Sequence, residues 1–305
     1  MKTGWIFPAF ISEYIGNENQ ILNSLTSDFD LLLKRASDVT GKDLSVFQVE
    51  GNNFMDREDL NQYLSYIFSC TITDILKREN LKPDYLSGLS MGIYAALYAG
   101  GSISFEDGLR CIKKAYDLSV ENLNNYEFGM GAIIGLTYED LDQINKSTSK
   151  NVEIVNRNGI HSFVISGISA DVKTVALKAQ DEGAFHSGLL DVSCPYHSKF
   201  MRNIANEFQK YVSLLDIKPS DIPVVSLIDQ SIFKSREEII NELSRNLDSE
   251  INWFKAMQTM IHLNITTFVE CGAGKSLYKI GKFIDGDFAI IPINKIPGYL
   301  EDSYN

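Results

Sequence analysis

The sequence predicts an α/β protein in which a small ferredoxin-like subdomain is inserted into a larger α/β domain. Two observations predict it. In residues 85–97, a glycine-flanked serine lies between a short β-favouring run and a helix-favouring run, as in a strand-turn-helix unit. Residues 131–192 follow the order β-α-β-β-α-β, which is the ferredoxin-like motif. The predicted boundaries are residues 1–126 and 194–305 for the large domain and 127–193 for the small subdomain.

Hydrophobic spacing predicts the first elements. Residues 5–7 are apolar and Pro8 follows them, which indicates a buried strand that ends in a loop. Residues 19–36 carry apolar side chains at helical spacing and favour more than one helix, and residues 59–80 keep an apolar helical face for several turns. These elements are interpreted as packing elements that lead into the serine turn.

That turn, at residues 88–92, has the G-x-S-x-G pattern of a nucleophile elbow, in which glycines let a strand bend sharply into a helix and leave the serine hydroxyl exposed. The pattern alone is equally compatible with an ordinary strand-to-helix turn. The rest of the chain has to distinguish the two interpretations.

The inserted subdomain is predicted element by element. Capping and turn signals give helices that begin at Thr137 and after Ser169, with the second ending at Gly183. The four strands are predicted at residues 132–136, 152–155, 163–165 and 189–192.

The remaining elements are predicted in the same way, and the last ten residues are predicted to be a frayed tail. Helices are expected at 199–214, 237–246, 253–262 and 277–283, and strands at 224–228 and 266–270. The sequence Gly274-Lys275-Ser276 suggests a phosphate loop, but that loop requires a glycine where this chain has Val269. The segment is therefore interpreted as a glycine-rich turn.

Composition excludes several classes of function. The net charge of −12 and the pI near 4.8 argue against a nucleic-acid partner, since such surfaces need clustered Lys and Arg. No apolar run is long enough to span a bilayer, and a cytoplasmic location without membrane association is expected. The four cysteines lack metal-ligand spacing, so no metal site is expected.

A histidine base for Ser90 has to be one of four residues, His161, His186, His197 and His262. His197 differs from the others because it follows Pro195 between the inserted subdomain and a helix, where a loop residue can reach a cleft between two domains. An exposed loop histidine without a role remains the alternative.

Several phrases in order resemble the malonyl-CoA:acyl-carrier-protein transacylase family, which includes the acyltransferases of polyketide synthases. They cover nearly the whole chain, and they are residues 88–92 (Gly-Leu-Ser-Met-Gly), 129–136, 156–158 with 163–167, 195–201 and 269–275. The resemblance implies an α/β-hydrolase-like large domain with a ferredoxin-like insert, which agrees with the strands and helices predicted from the residues.

The resemblance also implies site residues. Ser90 would be the nucleophile and His197 its base. The backbone N–H groups of Met91 and Phe10 would form the oxyanion hole. Asn246 matches the position whose backbone carbonyl orients the histidine, where the family commonly has glutamine.

Departures from the family pattern concern the acyl group. The chain has Ala9-Phe10-Ile11 in place of G-Q-G, Leu89 in place of histidine, and Ile93 in place of glutamate. Ala115 aligns with the arginine that pairs with the malonyl carboxylate in malonyl-specific members, and the adjacent Lys114 points elsewhere on a helix. Leu89, Ala115 and Tyr196 therefore predict an acyl pocket for a group without a free carboxylate.

The leading hypothesis is a serine acyltransferase that moves such an acyl group between thioesters of coenzyme A and an acyl carrier protein, through acyl-Ser90, in polyketide or fatty-acid assembly. CoA or a phosphopantetheine thioester is then substrate, and no bound cofactor is expected. One alternative is an acyl-carrier-protein thioester hydrolase with the same Ser-His pair. Another is an inactive carrier-protein docking module.

Overall fold

The computed structural model describes residues 2–47, 51–123, 125–148 and 150–303. Its strands are β1 (Lys2–Phe7), β2 (Tyr85–Gly88), β3 (Phe128–Ile134), β4 (Val152–Gly159), β5 (Ser162–Ile168), β6 (His186–Leu190), β7 (Val224–Val225), β8 (Ile232–Phe233), β9 (Ile265–Glu270) and β10 (Ala289–Ile291).

The α-helices of the described residues are α1 (Glu18–Leu25), α2 (Asp28–Thr40), α3 (Glu58–Arg78), α4 (Gly92–Ala99), α5 (Phe105–Asn122), α6 (Tyr138–Thr148), α7 (Ser169–Asp181), α8 (Arg202–Ser213), α9 (Arg236–Asp248), α10 (Trp253–His262), α11 (Ser276–Gly281) and α12 (Ile296–Asp302). Short 3-10 turns occupy Leu44–Val46, Gly51–Asp56, Lys199–Met201 and Ile293–Lys295.

The larger sheet has the order β10-β9-β1-β2-β7-β8, and only the β7-β8 pair is antiparallel. Phe7 of β1 is in register with Gly88 of β2, and Ile6 is in register with Glu270 of β9. The carboxyl ends of these three parallel strands therefore meet at one edge. From β1 the chain goes on to β2 on one side, whereas from β9 it goes on to β10 on the other side. Open α/β sheets form ligand crevices at such a reversal of strand order.

Helix α3 lies at the centre of the large domain, packed against α2, α4 and α5. Most of its residues are buried, including Tyr63, Phe68 and Cys70. The sequence predicts one apolar face for this segment, whereas the structure surrounds the helix with neighbours on nearly all sides. Its polar residues are therefore enclosed with the apolar ones.

The smaller sheet is antiparallel, in the order β4-β5-β3-β6. Helices α6 and α7 pack on one face, where Ile133, Phe163 and Val172 belong to a separate small core. This order is that of a ferredoxin-like unit and confirms the predicted fold class. We propose that the unit is bounded at residues 127 and 193, as the sequence predicts.

The structure differs from the predictions mainly at element ends and at short strands. The predicted strand 224–228 is limited to Val224–Val225, and β6 begins at His186 and ends at Leu190. The predicted frayed tail is wrong for the described residues up to 303, because Ile296–Asp302 is helical with Ile296 and Leu300 buried. No helix of the described residues has the length and hydropathy to cross a bilayer.

Candidate active site

The serine turn predicted at residues 88–92 is a sharp bend between β2 and α4, and Ser90 adopts a left-handed φ of 51° at its tip. Two glycines make the bend possible. A Cβ on Gly88 would lie 2.3 Å from the backbone of Gly92, and one on Gly92 would lie 2.2 Å from the carbonyl oxygen of Phe7. No side chain fits at these distances. The elbow is thus pressed against the end of β1, with Ser90 partly exposed at its tip.

His197 reaches Ser90 from the loop that follows the small subdomain. Its Nε2 lies 2.7 Å from the Oγ of Ser90, across 107 positions of sequence. The backbone of His197 is also left-handed, with φ 63°. Its N–H donates to the carbonyl of Leu247 at 2.7 Å, and Ser198 Oγ donates to the carbonyl of Pro195 at 2.6 Å. These hydrogen bonds fix the backbone at residues 195–198 and thereby the direction in which the imidazole leaves the chain.

Burial keeps the imidazole of His197 neutral. The side chain is 5% exposed, and desolvation lowers its pKa from the ordinary 6.5 to about 4, opposed by the backbone carbonyls of Asn246 and Ser249. Nδ1 makes no hydrogen bond of normal geometry within the described part of the chain. Since Nε2 faces a hydroxyl donor, a neutral ring has its proton on Nδ1 and an acceptor at Nε2.

The carboxyl end of α9 holds both members of this pair. The side-chain Nδ2 of Asn246 donates to the backbone carbonyl of Ser90 at 3.2 Å, while the next carbonyl, of Leu247, accepts the His197 N–H. The negative end of a helix dipole favours a cation within the last turn. The end of α9 is thus arranged to stabilise a positive charge on the imidazole of His197.

The two predicted oxyanion donors are Met91, which follows Ser90 in the chain, and Phe10. Phe10 lines the cavity beside Ser90, in the loop after β1. That loop is anchored by Asn61, whose Oδ1 accepts the Ile11 N–H at 2.8 Å and whose Nδ2 donates to the Ile11 carbonyl. Neither the amide of Met91 nor that of Phe10 donates to a group of the described chain. Their role as oxyanion donors stays a prediction.

A cavity of about 450 Å³ opens over Ser90 and His197, between the large domain and the small sheet. Leu89 and Tyr196, both predicted for the acyl pocket, line it, as do Met130 and Val164 of the small sheet. The acidic residues Asp56, Glu58 and Asp191 line it too, and no Lys or Arg of the described chain does. The cavity is thus apolar with acidic positions.

Ala115 does not line the cavity, and its predicted place in the acyl pocket is wrong. It is 1% exposed in the core, on helix α5. Ser119, one turn further along the same face, contacts the thiol of Cys194. The segment that leads to His197 therefore covers this face of α5. Lys114 does not line the cavity either.

Sequence reasoning missed Glu58, the first residue of α3. It is 8% exposed, lines the cavity, and accepts hydrogen bonds through Oε2 from the N–H and the Oγ–H of Ser193, at 2.8 Å and 2.7 Å. An acidic residue in the first turn of a helix is so common that it gives no signal of a site. Only the tertiary position of Glu58 sets it apart.

The glycine-rich turn at 271–276 is occupied by a carboxylate of the chain itself. Glu270 accepts the N–H groups of Leu277 and Tyr278, both at 2.9 Å, at the start of α11. Burial raises the pKa of Glu270 to about 7, opposed by those amides. The amides that would hold a phosphate are already used, in agreement with the prediction of a structural turn.

The other histidines lie outside the cavity. His161 contacts the carbonyl of Leu136, His186 lies on the edge strand β6, and His262 ends α10. No group of three or more His, Cys, Asp or Glu with metal-binding geometry occurs in the described residues.

No family model matches the chain, but curated relatives do. The malonyl CoA-acyl carrier protein transacylase of Bacillus subtilis strain 168 is 27% identical over 301 residues, which cover 96% of this chain and 93% of that protein. The protein of the same name from Staphylococcus aureus strain COL is 26% identical over 298 residues, which cover 97% of this chain and 96% of that protein.

Solved structures agree. The malonyl CoA-acyl carrier protein transacylase of Coxiella burnetii superposes with a TM-score of 0.90 at 24% identity, covering 99% of this chain and 97% of that chain. A malonyl-transacylase in complex with its type II polyketide synthase acyl-carrier protein gives 0.89 at 24% identity, with 99% and 100% covered. FabD of Acinetobacter baumannii gives 0.86 at 26% identity, with 99% and 98% covered. The resemblance predicted from the motifs is confirmed: by sequence and by fold the chain is similar to malonyl-CoA:acyl-carrier-protein transacylases along nearly its whole length.

Proposed function

We infer that this chain is a serine acyltransferase that moves an acyl group without a free carboxylate between CoA and acyl-carrier-protein thioesters, in polyketide or fatty-acid assembly. One observation carries the inference: Ser90 Oγ lies 2.7 Å from Nε2 of a buried, neutral His197 at the wall of a cavity. A hydroxyl hydrogen-bonded to a neutral imidazole is an activated nucleophile suited to acyl transfer. The curated relatives, which are named as acyl transferases, support the same reaction class.

In the first half-reaction, Ser90 Oγ attacks the thioester carbonyl carbon while its proton passes to Nε2 of His197. The carbonyl oxygen becomes an oxyanion, which the amides of Met91 and Phe10 stabilise by hydrogen bonds. The positive imidazolium faces the carboxyl end of α9, with the carbonyls of Asn246 and Ser249 beside it. The carbon-sulfur bond then breaks, and the departing thiol takes the proton back from Nε2.

In the second half-reaction, the thiol of a carrier protein's pantetheine arm attacks the acyl-Ser90 ester. Its proton goes to Nε2 of His197 and is returned to Ser90 Oγ as the ester bond breaks. The same residues therefore serve both directions. The relative that was solved with its type II polyketide synthase carrier protein supports such a partner.

The acyl group is inferred from the wall of the cavity. No Lys or Arg of the described chain lines it, whereas Asp56, Glu58 and Asp191 do. A free carboxylate desolvated there without a cation would cost several kcal/mol, on the order of the penalty for any unpaired buried charge. Ala115, which is buried outside the cavity, does not contribute to this selectivity.

An acyl hydrolase uses the same two residues, with water in place of the carrier thiol. The pair is equally consistent with that outcome, and the measurement below separates the two by product. A docking module without activity has no need for a hydrogen-bonded Ser-His pair at the cavity wall.

The test incubates the purified protein with a panel of acyl-CoA and acyl-pantetheine thioesters, with and without a carrier protein, and follows intact mass and free thiol. We expect the acyl mass on the wild type and on His262→Ala, whose histidine is exposed on α10, but not on Ser90→Ala or His197→Ala. Acylated carrier protein identifies a transferase and free acid a hydrolase. An acyl adduct that persists in Ser90→Ala would refute the proposed nucleophile.

A further inference from the structure

Glu58 is an acidic residue of the cavity wall that accepts several hydrogen bonds from the described chain. Besides the two hydrogen bonds from Ser193, its Oε1 lies 3.3 Å from the Nε2 of Gln62, one helical turn away. The hydroxyl of Tyr196 and the thiol of Cys194 also favour its charged form. Burial raises the pKa of Glu58, and the donors from Ser193, Tyr196 and Cys194 oppose the shift. They are neutral donors, and none of the interactions that shift this carboxyl comes from a cation.

A second acceptor that lines the cavity, on the small sheet, lacks a donor. Asn156 of β4 is 7% exposed, and its Nδ2 donates to Oδ1 of Asn158 at 2.9 Å. Its own Oδ1 accepts no hydrogen bond from the described residues. A buried amide oxygen without a donor is costly unless a ligand supplies one. A molecule in this cavity therefore meets acceptors on two sides, from Glu58 and from Asn156.

The charge balance points the same way. The wall carries three acidic residues and no basic residue of the described chain, and the imidazole of His197 is neutral. A negative group brought next to Glu58 would place two carboxylates in one desolvated site, which disfavours ionisation of both. A protonated amine or a hydroxyl brought there would be attracted by the negative charge, in addition to the donors that the carboxylate already accepts from Ser193 and Gln62.

We propose that Glu58 is a specificity residue that selects acyl groups carrying a hydrogen-bond donor, an amine or a hydroxyl, and rejects acyl groups that end in a carboxylate. This inference rests on the proposed acyltransferase function and names its substrate class. Discrimination comes from both sides, since the carboxylate of Glu58 attracts a donor and repels an acid. A protonated amine is favoured over a hydroxyl because it also neutralises the charge.

The experiment compares four thioesters of equal chain length, 3-aminobutyryl-, 3-hydroxybutyryl-, butyryl- and succinyl-pantetheine, together with malonyl-CoA. The rate of acyl-Ser90 formation is measured by mass in the wild type and in Glu58→Gln, which keeps the size and the acceptor oxygen. The matched control is Asp59→Asn, which removes a charge from the same helical turn. Asp59 does not line the cavity and pairs with Lys42.

In the wild type we expect acylation in the order amino, hydroxy, butyryl, with the two acids slowest. In Glu58→Gln the acids should gain about tenfold relative to butyryl and the amine should lose about tenfold, which is the effect of removing one charged interaction of about 1.4 kcal/mol. Asp59→Asn should keep the order of the wild type.

Three results would overturn the proposal. The first is a wild type that prefers succinyl or malonyl groups, a measurement that needs no variant. The second is a folded Glu58→Gln protein in which all five rates change by the same factor, because Glu58 would then only hold the segment before His197 in place. The third is a changed order of preference in Asp59→Asn. Absence of any adduct on Ser90 would instead contradict the proposed function itself.

Discussion

Replacing His197 by asparagine should remove a large part of the acid sensitivity of this fold. Asparagine is chosen because the backbone at this position has a φ of 63°, a conformation that asparagine tolerates better than most residues. It does not titrate, and it is short enough to fit the site of the imidazole. The quantity to compare is the change in the free energy of unfolding between two pH values, in the wild type and in His197→Asn.

The magnitude follows from the pKa. In the folded chain the pKa of His197 is lowered to about 4 from the ordinary 6.5. Between those values the unfolded chain binds more protons than the native one, so the free energy of unfolding falls as the pH is lowered through 6.5 toward 4. Protonation of the unfolded state alone costs about 2 kcal/mol of stability between pH 7 and pH 5. At neutral pH this contribution is nearly absent.

Urea denaturation at pH 7 and pH 5 measures it. We expect the wild type to lose about 2 kcal/mol more than His197→Asn over this interval. Glu242 and Glu270, whose pKa values burial raises to about 7, act in the opposite direction but are present in both proteins. Equal losses in the two proteins would show that the imidazole has an ordinary pKa and would refute the argument that burial keeps it neutral. In agreement with that argument, the rate of Ser90 acylation should change little between pH 6 and pH 8 through titration of this ring.

Two further substitutions test the architecture of the elbow. Asn246→Ala removes the hydrogen bond from Asn246 to the Ser90 carbonyl and should slow acylation about tenfold, the equivalent of one hydrogen bond of about 1.4 kcal/mol. Single-turnover kinetics measure the acylation rate. An equal loss of rate in Asn241→Ala, an exposed residue on the same helix, would show that the effect comes from α9 as a whole and not from this hydrogen bond. Gly92→Ala would place a Cβ 2.2 Å from the carbonyl oxygen of Phe7 and should lower the free energy of unfolding by about 3 kcal/mol. Thermal melting compares it with Gly298→Ala, where a Cβ meets nothing within 4 Å. Similar melting temperatures for the two variants would contradict the conclusion that the elbow has no room for a side chain at residue 92.

The parts of the fold that the sequence predicts best are those whose elements are long and periodic. The unit from 131 to 192 was predictable because short turns separate each strand and helix, and its helices carry one apolar face. The ends of these strands were harder to predict, because they are set by pairing with neighbouring strands. For example, β3 begins at Phe128, before the predicted start, since residues 128–131 pair with β5.

Short edge strands and the last helix escaped prediction for a different reason. Strands β8 and β10 have two and three residues, too few for a period to be recognised. The helix α12 begins with a proline in its first turn and is held by burial of Ile296 and Leu300. That burial depends on the rest of the fold, and the mixed charge of the segment gives no local sign of it.

For the candidate site, the sequence was sufficient to bring Ser90 and His197 forward, and the structure places them 2.7 Å apart. It was misleading for Ala115, because alignment of a helix position does not reveal that another segment covers that face. It was silent on Glu58, because the meaning of that carboxyl depends on the cavity it faces. Residues within a sequence motif can be recognised from the sequence, whereas residues that the tertiary fold alone brings to the cavity wall cannot.

The left-handed backbone of Ser90 also limits which nucleophiles this elbow can carry. A residue with φ of 51° that is β-branched is a rare outlier, because its second Cβ substituent collides with the backbone. Threonine has the same hydroxyl chemistry as serine, yet it is excluded here by shape alone. Cysteine has an unbranched Cβ and is compatible with the same backbone. Aspartate is unbranched at Cβ as well and tolerates a left-handed backbone, so the nucleophiles open to this position are a primary alcohol, a thiol or a carboxylate.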